Sequence, residues 1–190
     1  MTEQEYFTVH HQLTINAEPL PEGSSLPSYP IFESEIPAPF IVASEFSHLD
    51  MLNDSARKEL NNSDFKHVIN LLDTQNSKLN LLLTFLLSQQ DDPTYRTITS
   101  AFGASQCTFL SPTSLNDGQY VRIKLFLEHP AAAIYCYASV VECQAQEQGF
   151  DITVKYQLLR DADQDLLIKA ALNQQQKLLR QRSLDRENNQ

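Results

Sequence analysis

LNDGQYVRIKLFL, residues 115–127, is the stretch that decides the fold class of this chain. Its Asn-Asp-Gly at 116–118 is typical of a tight turn, because these residue types tolerate the backbone angles that a turn between strands requires. After the turn, apolar and basic side chains alternate: Val121, Ile123, Leu125 and Leu127 against Arg122 and Lys124. An alternation of period two predicts a strand with one buried face.

Strand patterns continue on both sides of this stretch, at residues 95–101, 106–110, 133–143 and 150–158. Five strands joined by short turns predict a small antiparallel barrel. A helix follows, because Asp161 is a suitable N-cap and an inner stripe repeats at helical spacing at Leu167, Ala171, Gln174 and Leu178. The predicted fold is therefore α+β and mainly β, a small antiparallel β-barrel with a C-terminal helix, preceded by a long heptad helix.

The long helix is predicted over residues 63–92, where no Gly or Pro occurs before Pro93. Apolar residues recur every seven positions, with others at +3, which is the pattern of a coiled-coil seam. The predicted oligomerisation residues are Phe65, Val68, Leu72, Leu79, Leu82 and Leu86. Leu81 and Leu87 widen the apolar surface and favour a bundle, so we expect a homo-oligomer, either a tetramer or a dimer. A single long helix packed on its own domain is the alternative.

The N-terminal third has a different character. Residues 7–15 alternate like a strand, and residues 19–39 contain six prolines and many acids, which predicts an extended linker. A weak helical pattern follows at 44–61. We therefore predict four regions: an N-terminal strand with a Pro-rich acidic linker at 1–62, the oligomerisation helix at 63–92, the barrel and C-terminal helix at 93–182, and a disordered tail at 183–190.

Composition excludes several classes of function. The net charge is −10, so the chain lacks the broad basic face that duplex nucleic acid requires. No run of 18 apolar residues and no secretory signal occur, and the three cysteines have no paired spacing, which predicts a cytoplasmic protein without membrane insertion. No metal-ligand spacing and no nucleophile with a base were found, so we predict no metal site, no catalytic residues and no enzymatic activity.

Several phrases resemble a known family. Arg96 follows the helix, a strand ends in Thr-Phe-Leu-Ser-Pro at 108–112, and residues 115–125 read as leucine, x, x, glycine, x, x, valine, x, leucine. With the strand at 137–141 and the closing helix at 166–182, this layout resembles the PilZ domain. The preceding heptad helix is similar to the atypical, tetramer-forming branch of that family. The resemblance covers most of 95–182 and, more weakly, 63–94.

The resemblance implies a role in bacterial cyclic di-GMP signalling. Typical members hold the dinucleotide with R-x-x-x-R before the barrel and D/N-x-S-x-x-G on the next strand, and both motifs are degenerate here. Asp92 and Ser100 stand four residues on either side of Arg96, where the second arginine belongs. Ala101, Gly103 and Gln106 replace the residues of the second motif, and a shift by one residue does not restore it. We therefore expect a non-enzymatic signalling protein that binds the nucleotide weakly or not at all and acts through an unidentified protein partner.

Two alternatives stay open. The chain could be a true cyclic di-GMP receptor with a relocated arginine site, built from Arg122, Arg160 or the C-terminal Lys177, Arg180 and Arg182. It could also be a structural coiled-coil and barrel adaptor without any link to nucleotide signalling. The candidate ligand-binding residues are Arg96, Arg122 and Arg160, with cyclic di-GMP as the possible ligand and no other cofactor.

Overall fold

The computed structural model describes residues 7–61, 65–128 and 131–188. In chain order its elements are β1 (Thr8–His10), β2 (Thr14–Pro19), α1 (Tyr29–Glu35), α2 (Ala38–Asn61), α3 (Lys66–Ser88), β3 (Arg96–Gly103), β4 (Gln106–Ser111), β5 (Tyr120–Glu128), β6 (Ala131–Gln146), β7 (Gly149–Leu158) and α4 (Asp161–Asn188). The order β3-β2-β5-β6-β7-β4, with β4 paired back to β3, closes a six-stranded antiparallel barrel. This confirms the predicted barrel with a C-terminal helix.

The barrel interior is filled by the apolar side of the alternating strands. On β5, Val121, Ile123 and Leu125 are at most 1% exposed, while the basic residues between them face outward. Ile152 and Val154 of β7 are fully buried in the same core. Burying one such side chain contributes about 1.5–3 kcal/mol, so the period-two pattern fixes which face of each strand points inward.

The N-terminal strand belongs to the barrel, which corrects the predicted boundary at residue 62. The single strand expected at 7–15 is two strands, and both pair with β3. The register of the pairing with β3 shifts by one residue between them, and Thr99 of β3 lies opposite this irregular stretch. The buried hydroxyl of Thr99 accepts from the Leu13 amide at 2.9 Å and donates to the His11 carbonyl at 2.8 Å. Helices α1–α3 therefore form one long insertion between the neighbouring strands β2 and β3.

The expected extended linker contains helix α1 and the first two residues of α2, which is a second correction. Pro30 lies in the first turn of α1, and Pro39 is the second residue of α2; proline is tolerated there because those amides have no helical partner. Phe32 and Phe40 are fully buried against the barrel. The helix expected only at 44–61 begins at Ala38 and continues to Asn61.

The predicted long helix corresponds to α3, residues Lys66–Ser88, and turns follow it up to β3. Residues 63 and 64 of the predicted span lie outside the described residues. Helix α3 packs on its own domain through Leu83 and Leu87, which are 2% and 4% exposed. Helix α3 also contacts α2 and β6, and its buried residues lie near its C-terminal end.

Helix α4 extends to Asn188 instead of ending at Arg182, so the tail predicted at 183–190 is helical over its described part. Residues 189 and 190 lie outside that part. The helix begins on the barrel, where its buried residues are Asp163, Leu166, Leu167, Ala170 and Ala171. From Leu179 to Leu184 every side chain is exposed, so the last turns stand away from the barrel.

Candidate ligand site and the apolar surface of α3

Arg96, the first residue of β3, is held by a carboxylate of its own chain. Its guanidinium lies 2.6 Å from a carboxylate oxygen of Asp91, in the connection from α3. The other oxygen of Asp91 accepts a hydrogen bond from the buried Asn16 of β2 at 2.7 Å. Asn16 also accepts from the Asp92 amide at 2.8 Å. Arg96 is therefore part of the clasp that fixes the end of the helical insertion to the barrel.

Arg122 is paired in the same way on the outer face of β5. Glu18 of β2 is its direct cross-strand neighbour, and the Arg122 Nε donates to Glu18 Oε2 at 2.8 Å while a terminal nitrogen bonds the same oxygen. Burial opposes the charged form, but the hydrogen bond and charge of Glu18 outweigh it, so the pKa of Arg122 is raised. The guanidinium is permanently charged and its strongest acceptor is already in place.

A small aromatic and acidic cluster covers the neighbouring strand. Glu35, at the end of α1, accepts from the hydroxyls of Tyr137 at 2.6 Å and Tyr135 at 3.2 Å. Phe32 of the same helix stacks on Tyr135 with ring centroids 6.0 Å apart. Burial, followed by the contact with Glu35, raises the pKa of the Tyr137 hydroxyl. These contacts strap α1 across the barrel face that carries Arg122.

Beside this strap lies a polar cavity of about 340 Å³, lined by Asn16, Glu18, Glu35, Asp92, Arg122, Lys124, Tyr95, Tyr135 and Pro37. Its size matches a small ligand. However, the lining contains three carboxylates against two cations, and Lys124 already donates to the Gln90 carbonyl at 3.0 Å. A cavity with this charge balance has little attraction for a ligand that carries two negative charges.

Arg160 lies on a different element, at the entry to α4. It makes two parallel hydrogen bonds to Asp163, at 2.8 and 2.7 Å, and Asp163 is fully buried. Burial raises the pKa of Asp163, although the contact with Arg160 opposes that rise. This geometry closes the first turn of α4 onto the barrel. Arg96 and Arg122 thus lie on the two strands that flank β2, opposite Asn16 and Glu18. Arg160 lies apart from them and has a separate, structural partner.

Metal-ligating residue types and buried cysteines are the other candidates for reactive groups. No group of three or more His, Cys, Asp or Glu residues there could hold a metal ion. Cys107 and Cys136 are free and buried, and burial raises the pKa of the Cys107 thiol to about 12. A thiol with a raised pKa is a poor nucleophile at neutral pH, because the thiolate is the reactive form.

The outward face of α3 carries an extended row of exposed apolar residues. All six predicted oligomerisation residues are exposed, by between 45% and 63%: Phe65, Val68, Leu72, Leu79, Leu82 and Leu86. Phe85 is exposed as well, whereas the exposed Leu81 lines a cleft on the other side of the helix. This open cleft of about 760 Å³ separates that side of the helix from the β5–β6 hairpin. Apolar surface of this extent marks a contact surface in most soluble proteins.

Comparison with solved structures identifies the architecture. The chain matches a pathogenic protein from Xanthomonas campestris, described as a tetrameric PilZ domain self-assembled through an unusual helical bundle. The TM-score is 0.57 at 11% identity, over 93% of this chain and 91% of that one. The chain has the PilZ-domain fold. It also matches the inhibitor of motility MotI/DgrA of Bacillus subtilis, with a TM-score of 0.49 and 11% identity over 93% of this chain.

The chain spans about half of MotI/DgrA, 53% of its length. No protein-family model matches the sequence. A search among curated proteins gives no match either. Within the described part of the chain, no helix is long and apolar enough to cross a membrane.

The carboxylates that neutralise the arginines on this PilZ-type barrel were missed in the sequence. Glu18 precedes Arg122 by 104 positions, and it becomes a neighbour only through the pairing of β2 with β5. Glu35 lies in a segment that reads as a linker. One signal was available: Arg160 and Asp163 are three residues apart at a predicted helix start, a spacing that favours a contact.

Proposed function

We propose that this chain is a non-enzymatic PilZ-type signalling protein that assembles through α3, acts on a protein partner, and binds cyclic di-GMP weakly or not at all. The observation that carries the proposal is that Arg96, Arg122 and Arg160 each form an ion pair with a carboxylate of their own chain. At every candidate arginine, a phosphate group of the ligand would have to compete with a carboxylate side chain of the protein itself.

The size of this competition supports weak binding. A hydrogen bond to a charged group contributes roughly 1.5–3 kcal/mol, which corresponds to about ten- to hundredfold in affinity. The full figure applies best to Arg160 and Asp163, whose side chains are 16% and 0% exposed. It applies least to Arg96, which is 50% exposed and whose ion pair is screened by solvent.

Self-assembly is supported by two independent observations. The six predicted oligomerisation residues of α3 are all exposed, although an isolated globular domain normally buries such a row of apolar side chains. The Xanthomonas protein, which shares the fold over 91% of its length, is described as self-assembled through a helical bundle. An assembled α3 would bury the surface that a monomer leaves in water.

The experiment is isothermal calorimetry with cyclic di-GMP on the full chain, together with the Arg96→Ala and Arg122→Ala variants. We expect a dissociation constant in the millimolar range or no measurable heat for all three proteins. A micromolar constant in the wild type, lost in either variant, would overturn the proposal and establish direct recognition by that arginine.

A second candidate is a receptor with a relocated cation site on α4. It is favoured by Lys177, Arg180 and Arg182, which are exposed and form no ion pair within the described residues. The same titration distinguishes it: micromolar binding that survives Arg96→Ala and Arg122→Ala but disappears in an Arg180→Ala/Arg182→Ala variant would support the relocated site.

A further inference from the structure

Helix α4 carries a second apolar row on the side that faces away from the barrel. Its buried row contains Leu166, Leu167, Ala170 and Ala171. Ile168, Leu172 and Leu179 lie on the opposite side, within about 40° of one another at 100° per residue, and they are 38%, 45% and 54% exposed. We call Ile168, Leu172 and Leu179 the α4 seam.

Basic side chains flank the α4 seam. From Lys169 to Arg182 the helix contains four basic residues and no acidic residue, in a chain whose net charge is −10. Arg180 and Arg182 are exposed, Lys169 is half-buried, and no ion pair within the described residues includes any of the three. An apolar row with unpaired cations at its edges fits a surface that combines apolar residues with acids.

Helix α2 offers such a surface. Its inner side buries Phe40, Ala43, Ser44 and Ser47. Its outer side exposes an apolar group by between 38% and 53%, consisting of Ile41, Val42, Phe46 and Leu49. The carboxylate of Glu45 is exposed in the middle of this group, one helical turn from both Ile41 and Leu49. We call the four apolar residues together with Glu45 the α2 seam.

We propose that the α4 seam of one copy packs on the α2 seam of a second copy. The rows are similar in length, about 16 Å from Ile168 to Leu179 and about 12 Å from Ile41 to Leu49 at 1.5 Å per residue. Their charges are opposite, and the contact can be made twice about a two-fold axis, with each copy giving one α4 and one α2. This contact is separate from the assembly through α3.

Charge explains why the α4 seam should pack on the α2 seam and not on the exposed face of α3. Helix α3 contains two lysines and one aspartate, Lys66, Lys78 and Asp73, and therefore cannot balance the basic edges of α4. The N-terminal 64 residues, by contrast, contain 11 acidic and 2 basic residues. The acidic excess of the chain thus lies in the N-terminal third, which includes α2, and its charge is opposite to that of α4.

The test is charge reversal with rescue in the full chain, measured by sedimentation equilibrium at low ionic strength, where charge effects are least screened. Arg180→Glu and Glu45→Arg, each alone, should weaken association by about tenfold. The Glu45→Arg/Arg180→Glu double variant should restore it to within about threefold of the wild type. Circular dichroism verifies that these exposed substitutions leave the fold intact.

The matched control is Glu147→Arg/Arg180→Glu, because Glu147 is an exposed acid in the β6–β7 turn and the variant has the same net charge as the rescued protein. We expect no rescue in this control. Equal rescue would overturn the specific contact and assign the effect to net charge. Binding of the wild type to phosphatidylserine vesicles, lost in Arg180→Glu while association is unchanged, would also overturn it in favour of a lipid surface.

A Leu79→Glu variant separates this contact from the assembly through α3. If charge reversal and rescue are observed while Leu79→Glu leaves association unchanged, the α3 assembly is wrong and the α2–α4 contact stands. If Leu79→Glu dissociates the protein while neither charge reversal has an effect, the α2–α4 contact is wrong and the α3 assembly stands.

Discussion

The outer face of the barrel and the outer face of α3 differ in how far their side chains are paired or covered by other parts of the same chain. On the barrel, Arg96 and Arg122 each have a carboxylate partner, and Glu35 accepts from two tyrosine hydroxyls. At α3, each of the six predicted oligomerisation residues is at least 45% exposed. Both surfaces contain the residue types that bind partners, but only one of them is left open by the fold.

Residue type alone does not identify a binding surface. An arginine contributes to recognition when its partner comes from outside, and a leucine contributes when its apolar surface is still in water. The arginines of the barrel face already have partners within the chain, and these contacts stabilise the monomer. The apolar side chains of α3 are still in water, so a second chain can stabilise them by covering them. Breaking each surface should therefore change a different property.

The largest effect is expected on the open surface. Leu79→Glu puts a charge into the seam of every chain, and burying that charge without a partner costs several kcal/mol. We expect the assembly to dissociate, with a loss of about a thousandfold or more in association affinity. The measurement is light scattering across a concentration series, and the unfolding free energy of the monomer should be almost unchanged.

Asn80→Glu is the matched control for this variant. Asn80 is exposed on the same helix about 100° away from Leu79 and lines the cleft that faces the hairpin. The added charge is identical, so assembly should persist. Dissociation by both variants would mean that net charge, and not the seam, controls association.

The second-largest effect, a loss of stability, is expected when Asp163 is replaced and its ion pair with Arg160 is lost. Asp163→Ala leaves the Arg160 guanidinium, 16% exposed, without its two hydrogen bonds. Loss of one partner of a buried ion pair costs about 3 kcal/mol or slightly more, so we expect a loss of that size in urea unfolding. Asp165→Ala, at an exposed position in the next turn of α4, should change stability by less than about 0.5 kcal/mol. Equal effects would contradict the assigned role of Asp163.

The α1 strap should respond more weakly. Glu35→Ala removes the acceptor for the hydroxyls of Tyr135 and Tyr137, but these groups can turn to water. We expect a loss of about 1 kcal/mol in the free energy of unfolding, with assembly unchanged. Glu33→Ala on the same short helix, where the side chain is exposed, should have almost no effect. A change of assembly in Glu35→Ala would mean that the barrel face also takes part in association.

The smallest effect is a dependence on pH. Because burial raises the pKa of Asp163 above its ordinary 3.8, the folded state binds this proton more tightly than the unfolded state does. The unfolding free energy should therefore fall as the pH rises from 3.8 through the raised pKa, and Asp163→Asn should lack this component. Urea unfolding of both proteins across that range checks the sign. A wild type that gains stability there relative to Asp163→Asn would contradict it.

The sequence predicts the parts of this fold that depend on local periodicity. The strand at 150–158 is found at Gly149–Leu158, and the alternation on β5 correctly separates its buried and exposed faces. The heptad row on α3 is likewise exposed as one surface. In each case the pattern arises from one face of one element, so the information lies within a short window.

The parts that were missed depend on contacts between distant segments. Helix α1 and the start of α2 lie in a proline-rich stretch, and they are held by Phe32 and Phe40, which the barrel buries. The strand expected at 7–15 is split where its register with β3 shifts, and a hydroxyl from Thr99, more than 80 positions away, bonds to the backbone there. Glu18 becomes the partner of Arg122 only after the barrel closes, so spacing could identify the candidate arginines but not their neutralisation.

The most direct test of assembly without nucleotide control is the mass of this 190-residue chain by light scattering at tens of micromolar, with and without a large excess of cyclic di-GMP. We expect an oligomer whose mass does not change when the nucleotide is added. A monomer under both conditions, or an assembly that forms or separates only with the nucleotide, would contradict this expectation.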